Sequence, residues 1–124
     1  MTIVEDFLEQ EALAVAGVSH SGGGYGVKVW RHLRAKSVQV YALNPKGGVI
    51  DGEPIYAGVR ELPEMVGGVV TVTPPEATLA IVKDCIKFGI PRVWMQPGSE
   101  NQDAIKLAEE HGLDVVSGQC LLMA

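Results

Sequence analysis

The 124-residue chain carries 15 acidic against 10 basic residues, a formal charge of −5, with 47% hydrophobic and 20% charged positions. These values describe one globular domain, residues 1–124, with enough apolar side chains for a core. They exclude a nucleic-acid surface, because the few Lys and Arg are scattered rather than clustered. No apolar run approaches the ~18 residues of a membrane span, no basic-then-apolar leader opens the chain, and Cys85 and Cys120 form no CxxC pair. The expectation is a soluble cytoplasmic protein with free thiols and no metal centre.

Thr2 to Gln10 reads as a short leading helix, with Thr2 as N-cap and Glu5 and Asp6 set against the positive end of the helix dipole. Ala12–Ala16 is an apolar run with the length of a buried strand. It runs into the turn Gly17-Val18-Ser19-His20-Ser21-Gly22-Gly23-Gly24. A helix is predicted behind that turn from about Tyr25 to Lys36, with Val29 and Leu33 on its apolar stripe and Lys28, Arg31 and Arg34 outward. Val38–Leu43 is a second strand, stopped by Asn44-Pro45-Lys46. Strand, glycine turn, helix, strand is a βαβ unit, whose turn presents unpaired backbone N–H groups to an anion such as a phosphate. Against the dinucleotide pattern G-x-G-x-x-G, the matching positions read Gly17, Ser19 and Gly22, so a serine replaces the middle glycine.

The end of the second strand discriminates between nucleotides. NAD-binding chains usually place an acidic residue there, about 20 residues past the glycines, to hold the ribose hydroxyls. Asn44 stands in that place and a cation follows at Lys46. A neutral amide plus a lysine suits a ribose bearing an extra phosphate better than a bare diol.

Val49 to Gly67 is predicted as a loop with one helical turn near Leu62–Met65. Asp51-Gly52 marks a turn, and Pro54 and Pro63 interrupt regular structure. Strand three, Val69–Thr73, ends at Pro74-Pro75, and a helix follows from Glu76 to Phe88, closed by Gly89 and Pro91. Strand four, Arg92–Gln96, gives way to Pro97-Gly98-Ser99, with Ser99 as cap of a helix from Glu100 to His111. Strand five is Leu113–Val116, and Cys120–Met123 forms an apolar tail.

Strands alternating with helices imply an α/β three-layer sandwich: a five-stranded parallel sheet in the order 3-2-1-4-5, helices on both faces, and a crevice at the carboxyl ends of strands one and four. The loops after Gly17, Asn44, Thr73 and Gln96 then emerge on one edge and hold a ligand between them. The candidate binding residues are Gly17, Val18, Ser19, His20, Ser21, Gly22, Tyr25, Asn44, Pro45, Lys46, Thr73, Pro74 and Gln96. His20 either donates to a phosphate or stands in solvent, and Tyr25 either covers the ligand or packs on the turn. No catalytic residue is assigned: Ser19 has no visible base, and no HExxH or Cys–His signature is present.

Ala14-Val15-Ala16-Gly17-Val18-Ser19, Leu43-Asn44-Pro45-Lys46, Val93-Trp94-Met95-Gln96-Pro97-Gly98 and Gly112-Leu113-Asp114-Val115-Val116, ending in Cys120, together resemble the small stand-alone CoA-binding proteins. These are similar to the nucleotide-binding domain of the succinyl-CoA synthetase α subunit. The resemblance implies a Rossmann-like fold that binds coenzyme A or an acyl-CoA. The pyrophosphate would lie against Gly17–Gly22 and the phosphorylated ribose near Lys46. Two stretches depart from the family pattern. Ser21-Gly22-Gly23-Gly24 stands where an arginine or proline and then a serine are frequent, and Val72-Thr73-Pro74-Pro75 replaces an aromatic-containing version. The leading expectation is a non-enzymatic CoA module acting as sensor or carrier, with any protein partner unidentified. The alternatives are an NAD(P)- or other nucleotide-binding oxidoreductase domain, and an interaction domain with a vestigial nucleotide site.

Overall fold

The structure, a computed structural model, describes residues 1–36 and 38–124. Seven strands form one sheet: β1 (Ala12–Ala16), β2 (Gln39–Leu43), β3 (Val49–Ile50), β4 (Glu53–Tyr56), β5 (Gly68–Thr71), β6 (Arg92–Met95) and β7 (Asp114–Val116). Among the described residues four α-helices accompany them: α1 (Ile3–Leu8), α2 (Tyr25–Arg34), α3 (Pro75–Phe88) and α4 (Gln102–Glu110). The strand order is β3-β4-β2-β1-β5-β6-β7. Every pair is parallel except the β3–β4 hairpin. This is a Rossmann-like α/β sandwich.

The sequence of β1 shows why the sheet is covered twice. Its side chains alternate between faces. Leu13 and Val15 join a core with Val27, Trp30 and Leu33 of α2. Ala12, Ala14 and Ala16 join the opposite core with Val82 and Cys85 of α3 and Ala104 and Ala108 of α4. One face of the central strand is therefore bulky and the other is alanine. That asymmetry leaves space on the α3 side, where the candidate site lies.

The leading helix forms as expected. The Thr2 hydroxyl accepts from the Glu5 amide at 3.0 Å and Glu5 accepts from the Thr2 amide at 3.0 Å, a capping box. Phe7 meets Trp94 edge-on with ring centroids 5.4 Å apart, and Asp6 pairs with Arg92 at 2.7 Å. These contacts tie α1 to β6.

Three expectations are corrected. The sheet has seven strands, not five, because Val49–Tyr56 is a hairpin rather than a loop. Asp51 (φ 48°) and Gly52 (φ 78°) both take positive φ, as the tight hairpin turn requires. Pro54 is tolerated because β4 needs only two paired positions on each side. The predicted order is corrected with it: the place outside β2 belongs to β4, so the strand at Gly68–Thr71 pairs with β1 instead. The order reverses between β1 and β5, and the crevice opens there rather than beside the strand at Arg92–Met95. Finally, the cap of α4 is Asn101, whose side chain accepts from Ala104 N at 3.0 Å. Ser99 is buried and bonds the carbonyls of Thr71 and Gln96 instead, at 3.0 and 2.8 Å.

Candidate functional site

A cavity of about 610 Å³ opens at the carboxyl ends of β1, β2 and β5. Its floor is Ala16 and Gly17 from the end of β1, with Leu43 from β2 and Val72 beyond β5. One wall is the loop Asn44-Pro45-Lys46, and another is the turn Ala57-Gly58-Val59 after β4. Thr73, Pro74 and the inner side of α3 complete it. Most of these side chains are small, which is why the sheet and α3 do not close on each other here.

Each edge of the cavity is held by local bonds. Asn44 Oδ1 accepts from the Lys46 amide at 3.0 Å, the Asn44 carbonyl accepts from Gly47 N at 2.8 Å, and the Asn44 amide donates to Tyr56 O at 2.9 Å. This side-chain-to-backbone turn sets the direction of the Lys46 stem. Lys46 is exposed and makes no ion pair among the described residues. On the opposite edge Thr73 and Thr78 join hydroxyls at 2.8 Å, fixing the entry to α3.

The glycine turn lies beside this cavity. Gly17 has φ 98°, and a Cβ there would overlap the Val72 carbonyl, so no other residue fits. The Gly17 and Val18 amides both donate to Leu43 O, at 2.9 and 3.2 Å. Ser19 and Ser21 share a hydroxyl contact at 2.8 Å, and the amides of Ser21 and Gly22 donate to Ser19 oxygens at 3.2 and 3.1 Å. Most of the turn is thus internally bonded. The N-terminus of α2 is different: Gly24 occupies its cap position and no side chain caps it. Its first amides are the donors best placed for an anion.

The predicted binding residues divide into four groups. Gly17, Asn44, Pro45, Lys46, Thr73 and Pro74 meet at the cavity. Ser19, His20, Ser21 and Gly22 form the neighbouring turn, where His20 lies against Gly48 and so brings the two loops together. Val18 points into the α2-side core and is fully buried. Tyr25 and Gln96 belong to a separate cluster around Cys120. Gln96 is 1% exposed, donates through Nε2 to Cys120 Sγ at 3.4 Å, and accepts from Leu121 N at 2.7 Å. The Gln96 bond, helped by the Leu122 amide and the Tyr25 hydroxyl, holds this thiol below the ordinary value of 9.0.

Sequence reasoning missed the far wall: Ala57, Gly58 and Val59, and the α3 stripe Ala77, Ala80, Ile81 and Asp84. The stripe has helical spacing, and its signal is a run of small residues beside the apolar face that packs on the sheet. Among the described residues no group of His, Cys, Asp and Glu is placed to hold a metal ion. Among the described residues no helix is long and apolar enough to cross a membrane.

The chain has relatives among known proteins and solved structures. The chain is 28% identical to acetate–CoA ligase (ADP-forming) I of Archaeoglobus fulgidus across 97% of its own length, but it spans 19% of that ligase. It is 20% identical to the α subunit of acetate–CoA ligase (ADP-forming) II of Pyrococcus furiosus, covering 96% of this chain and 28% of the subunit. Among solved structures, a hypothetical protein from Pyrococcus horikoshii OT3 superposes with a TM-score of 0.91 at 28% identity, covering 99% of this chain and 89% of that one. The family described as CoA binding domain matches residues 11–124, and the chain belongs to it.

Proposed function

We propose that this chain binds coenzyme A or an acyl-CoA in the cavity between the ends of β1, β2 and β5, as a module that carries or senses the coenzyme. The observation that carries the reading is Lys46. It is a cation without an ion-pair partner among the described residues, set by the Asn44 turn at the rim of a mostly apolar cavity. Coenzyme A has a 3′-phosphate on its ribose, and a lysine at the end of β2 complements that group. The pyrophosphate lies against the uncapped start of α2 and the adjoining glycine turn. From there the pantetheine arm leaves over the sheet edge.

A binding rather than catalytic role is supported by the partners of the Ser19 hydroxyl in the glycine turn. Ser19 Oγ contacts Ser21 Oγ and accepts from the Ser21 amide, and neither contact supplies a base. The acetate–CoA ligases matched by this chain are several times longer. In this reading a separate partner supplies any chemistry done on the acyl group.

A thermal-shift and calorimetry panel with CoA, acetyl-CoA, NAD, NADP and ATP tests the proposal. Stabilisation by CoA or acetyl-CoA, weakened by Lys46→Ala, is expected. Selective stabilisation by NAD or NADP would instead establish an oxidoreductase-type nucleotide domain, which the neutral Asn44 disfavours. Silence toward every nucleotide would leave an interaction domain with a vestigial site.

A further inference from the structure

The cavity extends well beyond Lys46. Ala77, Ala80, Ile81 and Asp84 of α3 line it at the i, i+3, i+4, i+7 spacing of one helix face. From Ala77 to Asp84 the helix rises about 10 Å, room for a ribose and a purine laid end to end. Ala57, Gly58 and Val59 stand among the opposing residues and present little side-chain bulk. The result is an apolar slot with two charged lining residues of opposite sign, Lys46 from the loop after β2 and Asp84 from the third turn of α3. Neither makes an ion pair among the described residues.

We infer that this slot takes the adenine ring and that Asp84 is its specificity residue, accepting a hydrogen bond from the exocyclic 6-amino group. The inference rests on the CoA reading above. A carboxylate offers only acceptors, so it favours a base edge that donates. It also repels phosphate. A nucleotide entering with its phosphorylated ribose toward α3 would set like charges against each other, and one entering with that ribose toward Lys46 would not. Lys46 and Asp84 therefore define the direction of the ligand as well as its base. Replacing adenine by hypoxanthine puts a carbonyl oxygen where the amine was, and that acceptor would face the Asp84 carboxylate.

Calorimetric titration with CoA and with deaminated CoA, which carries hypoxanthine on the same ribose and phosphates, tests this directly. The wild-type chain should bind CoA about tenfold more tightly than the deaminated form. Asp84→Ala, at an exposed helix position, should bind the two about equally while retaining the response to Lys46→Ala. Equal affinity of the wild type for both coenzymes, or a preference that survives Asp84→Ala, overturns the assignment and leaves CoA binding intact. Absence of binding to either coenzyme overturns both this inference and the reading beneath it.

Discussion

The main chains of Gly17 and Gly26 pass so close that a Cβ placed on Gly26 would overlap the carbonyl of Gly17. This contact seats the start of α2 directly on the end of β1, which brings the uncapped helix amides up to the cavity rim. Gly26→Ala should therefore push α2 off the strand. Gly17→Ala adds a positive φ and a clash with the Val72 carbonyl. Each substitution should cost about 2–4 kcal/mol, read as a lowered urea midpoint with an unchanged slope. Coenzyme affinity should fall even where the variant remains folded. A variant of native stability and affinity would show that this backbone approach does not set the site.

Lys46 gives a sharper test, because its proposed partner can be removed from either side. Lys46→Ala should weaken CoA binding about tenfold and leave dephospho-CoA, which lacks the 3′-phosphate, nearly unchanged. The lysine is exposed, so the wild-type preference for CoA should shrink as salt rises. A matching loss for both coenzymes would mean that Lys46 acts on the loop rather than on the phosphate.

Much of this architecture is legible in the sequence. The run Ala12–Ala16, the glycine turn and the stop at Asn44 identified the βαβ unit, because apolar length, backbone-permissive glycine and a proline stop are local signals. Val49–Tyr56 is not legible as a hairpin, because Pro54 signals a break in a strand and the Asp51-Gly52 pair signals only a turn. Two flanking segments that pair at two positions each are too short for alternation to show. Strand order then failed for a reason no local signal could repair. The choice of neighbour for β1 depended on whether another strand covered the far side of β2. At the site, loop residues such as Asn44 and Thr73 announced themselves by their position after strands. Asp84 did not, since on a helix pattern it reads as one more solvated charge.

The hairpin that was missed is anchored by charge. Arg31 donates to both carboxylate oxygens of Asp51 at 2.9 Å, and Arg34 adds longer contacts to Asp51 and Glu53. The Arg31 hydrogen bond holds the Asp51 carboxyl below its ordinary value of 3.8. A depressed carboxyl contributes stability that is present above its unfolded value and is lost as pH falls through the folded one. Asp51→Asn keeps a residue that tolerates positive φ and removes the charge. The variant should be slightly less stable than the wild type near neutrality, and the two should converge as pH falls well below the ordinary carboxyl value of 3.8. Urea midpoints across that range decide it; a gap that persists in acid would assign the effect to the turn rather than to the ion pair.

The two cysteines should differ in reactivity although neither is oxidised. Burial, with a smaller contribution from Asp84, pushes the Cys85 thiol up to about 12. Cys120 is half-buried, and the Gln96 hydrogen bond lowers it. Alkylation follows the thiolate and its access, so iodoacetamide near neutral pH should give a single adduct, at Cys120. Gln96→Leu removes the strongest stabilising donor and should move the rate–pH profile to higher pH. Gln96 also holds the Leu121 amide, so a structural effect must be separated from an electrostatic one. Tyr25→Phe does this, because it deletes only a hydroxyl from an exposed side chain and should shift the profile the same way by less. Peptide mapping that finds Cys85 modified first, or profiles that do not move in either variant, would remove the electrostatic account of this thiol.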